Sequence, residues 1–159
     1  MRDMPSDKTL AENADMSEAR QQYAALCYRL TRTKKKTAIE VLLITSRDTG
    51  RWVTPKGWPM ANKAPHEVAA QEAFEEAGIK GKVGEKPLGN YSYLKRLDNG
   101  TSVPCVVDLY PLRVRKTKSK YPEADERTRK WTSPEEAAEL VHESELKTLL
   151  IELINLIES

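Results

Sequence analysis

Apolar positions recur along this chain in two periods. Tyr23 to Leu30 (YAALCYRL) and Ala38 to Thr45 (AIEVLLIT) read as strands, with residues 31–37 (TRTKKKT) as a basic turn between them. Val41 to Ile44 are all apolar, which predicts a strand covered on both faces. Arg51 to Pro55 reads as a short strand after the turn Arg47 to Gly50. Lys82 to Leu97 holds one or two strands, with Tyr91 and Tyr93 on one face by alternation. Asp98-Asn99-Gly100 is a hairpin signal, after which Val103 to Val114 returns as a long strand, its Pro104 and Pro111 marking edges or bulges. Lys130 to Thr132 is a last short strand.

The helical period appears in three places. One helix runs from Pro65, suited to a first helical position, to Gly78, suited to the left-handed residue beyond the last turn. A second opens at Ser133, with Pro134 next and Glu136 completing a capping box. The third, Glu145 to Ile157, carries a wide Leu/Ile stripe that fits packing on a sheet better than a dimer contact. Strands mixed with hairpins and two late helices fit an α+β chain, an α/β/α sandwich around a mixed sheet. Residues 1–20 show no sustained apolar period and read as a loose tail, leaving residues 21–159 as a single domain.

Composition narrows the picture. With 159 residues the chain suits one domain, and a net charge of +2 gives no global argument for nucleic acid or an anionic membrane. No apolar run is long enough to cross a bilayer, and the N-terminus lacks the apolar core of a signal peptide. Cys27 and Cys105 sit in strand-like apolar surroundings without metal-ligand spacing. Buried free thiols in a reducing cytoplasm are the expectation. The basic runs Lys34–Lys36 and Arg113–Lys120 read as solvated strand ends, and neither His66 nor His142 has a catalytic partner pattern.

The chemistry concentrates in the helix from Pro65. Glu72, Glu75 and Glu76 stand at i, i+3 and i+4, so all three project from one face, opposite Ala70, Ala73, Phe74 and Ala77. Like charges so placed repel, and a hard divalent cation such as Mg²⁺ or Mn²⁺ removes that repulsion. A solvated acidic face is the plainer alternative.

The surrounding residues weigh against the plainer one. Gly57 to Ile79 (GWPMANKAPHEVAAQEAFEEAGI) resembles the signature of the Nudix hydrolases, G-x5-E-x7-R-E-U-x-E-E-x-G-U, where U is bulky and aliphatic. Gly57, Glu72, Glu75, Glu76, Gly78 and Ile79 match at the required spacing. Lys63 replaces the first Glu, Gln71 replaces Arg, and Ala73 is small. The resemblance implies a Nudix sandwich in which Glu72, Glu75 and Glu76 hold Mg²⁺ or Mn²⁺, and hydrolysis of a phosphoanhydride in a polyphosphate-chain substrate. Glu75 and an acid outside the box, Glu126 ahead of Glu123, would serve catalysis. The stretch S-R-D-T-G-R-W-V-x-P-K-G-W-P-M further resembles the diphosphoinositol polyphosphate and diadenosine polyphosphate phosphohydrolase branch, implying phosphate contacts from Arg47, Arg51 and Lys56. The implied partner is a small nucleotide or inositol polyphosphate, with the chain a monomer or homodimer. Lys63 and Gln71 leave open a module that binds a nucleotide or protein without turnover.

Overall fold

A computed structural model describes residues 18–34 and 36–158; of the expected tail over residues 1–20, residues 1–17 lie outside them, and Arg20 already belongs to the first strand. Eight strands form one sheet: β1 (Arg20–Thr33), β2 (Lys36–Thr45), β3 (Trp52–Val53), β4 (Lys56–Gly57), β5 (Ile79–Val83), β6 (Gly89–Arg96), β7 (Ser102–Thr117) and β8 (Arg129–Thr132). The central order is β3-β2-β1-β7-β5, with β4 on β1, β6 on β7 and β8 on β2. β1 and β7 run parallel and the other pairs antiparallel, so the sheet is mixed as expected.

Alternation explains why the sheet needs helices on both sides. Ala24, Leu26, Val41 and Leu43 face one layer with Tyr91 and Tyr93, while Ala25, Cys27, Leu42 and Ile44 face the other. The first face is covered by α2 (Pro134–Leu140), α3 (Ser144–Ile151) and α4 (Leu153–Glu158), chiefly through Leu146, Leu150 and Leu153. The second is covered by α1 (Pro65–Ala77) through Ala69, Ala73 and Ala77. Both cysteines are buried and unbridged.

Four local expectations change. Residues 31–33 and 36–37 are strand instead of turn, because β1 and β2 pair as far as Thr33 opposite Lys36. The apolar stripe of α1 centres on Ala69, Ala73 and Ala77 with Ala70 packed at its edge, and Glu76 is buried beside it. Ser133 caps α2 by accepting from the Glu136 N–H at 3.1 Å. The Glu136 carboxylate instead accepts from Thr132 at 2.6 Å, completing no box. The C-terminal helix breaks at Glu152, and this break lets α4 turn Leu153 inward while Ile151 and Ile154 stay exposed.

The prolines of β7 sit where a missing N–H is harmless. Pro104 pairs with β6 one position before the pairing with β1 begins at Cys105. Pro111 falls between the stretch paired with β6, ending at Leu109, and that paired with β5, starting at Leu112.

Candidate active site

Helix α1 is held at both ends. Pro65 opens it, the Ala64 N–H donates to the Glu67 carboxylate at 2.8 Å, and Gly78 at φ 69° closes it by donating to Phe74 O at 2.9 Å. Its alanines let the helix lie close on the sheet, which brings the carboxylate face to the end of β4. There a Cβ on Gly57 would lie 2.5 Å from the carboxyl carbon of Glu72, so the glycine makes room for that side chain.

Two of the three helix carboxylates converge. Glu72 and Glu76 line a cavity of about 240 Å³ with Gln22, Lys56, Trp58, Glu123 and Arg127. Burial, a hydrogen bond with Glu76 and repulsion from its charge push the Glu72 carboxyl up to about 9. Arg127 crosses this acidic floor. Its guanidinium lies 3.5 Å from Glu76 and 3.0 Å from Glu123, and donates to Thr45 O at 3.1 Å. Glu75 does not line the cavity; it accepts from Gln71 at 3.1 Å. Gln71 therefore keeps a hydrogen bond on the helix where the signature has an arginine, without the charge.

The outer acids separate by position. Glu123 lines the cavity and its N–H donates to Glu75 O at 3.0 Å, tying its loop to α1. Glu126 is half exposed and pairs with Arg47 at 3.2 Å. Arg47 also lies 3.6 Å from Glu123, so it now engages acids and would have to exchange them to bind phosphate.

The small cavity adjoins a larger one of about 650 Å³, and Ser46, Asp48, Val53, Lys56 and Lys95 line both. Arg51 and Arg96 line the larger, with Tyr93, Leu94 and Glu143. Lys56 stands at the junction, its ammonium 5.1 Å from the Tyr93 ring centroid. Burial pushes its pKa down, and the charges of Glu76 and Glu143 oppose that shift. Trp58 borders the small cavity with Lys95 5.9 Å from its ring centroid, while Trp52 packs against the core. Arg127 and Glu143 were not singled out by sequence. Both reach the site by long-range folding, and no spacing relative to the signature marks them.

A divalent cation suits this donor set in part. Glu72 and Glu76 are hard oxygen donors forced together, which a cation would relieve. As the side chains stand, no group of three or more His, Cys, Asp or Glu among the described residues is arranged to hold an ion. Glu72 and Glu76 would be the core ligands of such a cation, with Glu75, Glu123, water or substrate oxygens completing the set.

A mixed sheet between two helical layers, with a glycine-closed carboxylate helix beside cavities lined by arginine and lysine, defines the architecture as an α/β/α sandwich. The NUDIX domain profile matches residues 20–153, and the chain belongs to the Nudix family. Nudix hydrolase 16, mitochondrial, of Arabidopsis thaliana is 35% identical over 117 residues, which is 72% of this chain and 64% of that protein. Diphosphoinositol polyphosphate phosphohydrolase 3-beta of Bos taurus is 44% identical over 69 residues, 43% of this chain and 38% of that protein. The crystal structure of C. elegans Ap4A hydrolase superposes with a TM-score of 0.58 at 19% identity, over 87% of this chain and 98% of that one, a likeness of fold. The chain spans 64%, 60% and 61% of the length of three curated relatives that it matches.

Proposed function

We propose that this protein is a pyrophosphohydrolase that cleaves a phosphoanhydride bond in a polyphosphate-chain substrate, using Mg²⁺ or Mn²⁺. The observation that carries the reading is the Glu72–Glu76 pair set in a cavity continuous with a groove lined by Arg51, Lys56 and Lys95. Such a groove binds phosphates on one side and concentrates carboxylates on the other. Diadenosine polyphosphates and diphosphoinositol polyphosphates are the favoured substrates, in keeping with the names of the relatives above.

The chain's own residues divide the work. Arg51 and Lys56 hold the phosphate chain, and Arg47 joins them by leaving Glu126. Glu72 and Glu76, with Glu75, would hold the cation, which would supply charge neutralisation for phosphate oxygens and acidify the attacking water. As water adds to phosphorus, the anhydride P–O bond breaks and its electron pair leaves with the departing phosphate. The water proton passes to a carboxylate. Glu123, inside the cavity, is better placed for this than Glu126 at the rim or Glu75 on the helix.

The two buried thiols support a reducing compartment, and we place the protein in the cytoplasm. Cell fractionation tests this, since several relatives carry organelle names. No helix among the described residues is long and apolar enough to cross a membrane.

The test of the reaction is a turnover panel with each metal. It offers diadenosine tetra- to hexaphosphates, a diphosphoinositol polyphosphate, nucleoside triphosphates and ADP-ribose, with products identified by mass. Metal-dependent cleavage at a phosphoanhydride supports the hydrolase. Binding without cleavage across the panel would instead support a non-catalytic module, the reading that Lys63 and Gln71 allow.

A further inference from the structure

Glu143 is the residue that the phosphate reading leaves unexplained. It stands at the N-terminal boundary of α3, is 6% exposed, and lines the larger cavity. Its Oε2 has no hydrogen-bond partner, and among the described residues it is the one buried side-chain N or O atom so left. Leaving a carboxylate oxygen buried and unpaired is costly. An acceptor kept in that condition at a cavity wall is suited to a ligand that brings a donor.

The neighbours define which donor. The same cavity presents Arg51, Lys56 and Lys95 to an anion, so phosphates have their own partners there. A phosphate against Glu143 would set acceptor against acceptor and add repulsion. A hydroxyl or an amine would satisfy it. Tyr93 and Leu94, which line the same cavity, offer an apolar wall for a ring.

We propose that Glu143 is a specificity residue that accepts a hydrogen bond from a hydroxyl on the ring next to the phosphate chain, so that this arm selects a ribose-bearing nucleotide over a fully phosphorylated inositol. The proposal rests on the phosphoanhydride reading of the same groove. It divides the two favoured substrate classes, because an inositol whose positions are all phosphorylated has no hydroxyl to donate.

The experiment is an equilibrium titration of the full chain with ADP, 2′,3′-dideoxyADP and inositol hexakisphosphate, in Mg²⁺, for wild type, Glu143→Ala and Glu143→Gln. Wild type should bind ADP about tenfold more tightly than the dideoxy compound, the scale of one hydrogen bond to a charged group. Glu143→Ala should bind both equally. Glu143→Gln, which keeps the shape and loses the charge, should bind the hexakisphosphate more tightly than wild type does. Melting curves of both variants establish that they fold, and the glutamine variant serves if alanine does not.

Equal binding of ADP and dideoxyADP by wild type overturns the proposal. So do a preference that survives in Glu143→Ala, and no binding of ADP at millimolar concentration. The hydrolase reading fails separately. Loss of a Glu143-dependent ribose preference alongside intact phosphoanhydride turnover sinks only the specificity role. A retained preference without turnover of any polyphosphate sinks only the reaction.

Discussion

The two helical layers meet the same sheet in different ways. Helix α1 meets it with Ala69, Ala73 and Ala77, whereas α3 and α4 meet it with Leu146, Leu150 and Leu153. Alanines contribute little buried area but allow a close approach, and each leucine contributes about 2 kcal/mol of burial. The alanine layer therefore gains position more than stability. It carries the carboxylates, and its glycine neighbour Gly57 is cut to fit Glu72. The leucine layer holds the fold and lends the site one residue, Glu143.

Substitutions in the two layers should separate activity from stability. Glu76→Gln should lower phosphoanhydride turnover by about a thousandfold, near 4 kcal/mol of transition-state stabilisation, while circular dichroism stays native. A variant as fast as wild type would remove Glu76 from the chemistry. Relief of carboxylate repulsion by itself would let this variant melt no lower than wild type without metal. Arg127, 3.5 Å from Glu76 and largely buried, would lose one of its two carboxylate partners, which shifts that expectation onto Glu72→Gln, where the crowded pair is relieved and Arg127 keeps both Glu76 and Glu123.

Leu146→Ala should do the reverse. A fully buried leucine on α3 is lost, at about 3 kcal/mol of stability by denaturant titration, with turnover per folded molecule unchanged. A fall in turnover matching the stability loss would show the layers to be coupled.

Gly57→Ala should have a smaller effect. The new Cβ would meet the Glu72 carboxyl, which is a side chain that can yield, so the melting temperature should hold and turnover should fall about tenfold as Glu72 is displaced. Unchanged kinetics would mean that the position of Glu72 has no part in the reaction.

A further prediction concerns pH. The Glu72 carboxyl rises from 4.5 to about 9 in the folded, metal-free protein. Across that window the folded state keeps a proton that the unfolded state releases, so stability is fully present below 4.5 and falls as pH rises towards 9. Melting curves over this range should slope downward for wild type and flatten for Glu72→Gln. A slope unaltered in the variant would assign the titration to another group.

Much of this architecture is legible in the sequence because it is periodic or contiguous. The apolar run Val41 to Ile44 signals a strand covered on both faces, and it is shared between the two cores. Pro65 and Gly78 mark the ends of α1 because each suits a backbone conformation that few other residues do. What the sequence hides are partners brought together by long-range folding. Arg127 meets Glu76 across 51 positions of chain, so no local pattern links them. Glu123 and Glu126 look equivalent in the run Tyr121–Arg129, and the bond from the Glu123 N–H to Glu75 O, with the Arg127–Glu123 ion pair, draws one inward. The break at Glu152 is equally hidden, since the Leu/Ile stripe continues through it and only packing decides which residues turn inward.

The central claim is that Glu72 and Glu76 together hold a divalent cation. Titration of Mn²⁺ into the metal-free protein, with free ion counted by electron paramagnetic resonance, tests it directly. The account predicts saturable binding in wild type that weakens at least about tenfold in both Glu72→Gln and Glu76→Gln, as expected when a charged ligand oxygen is lost. Undiminished Mn²⁺ binding in both variants would contradict it.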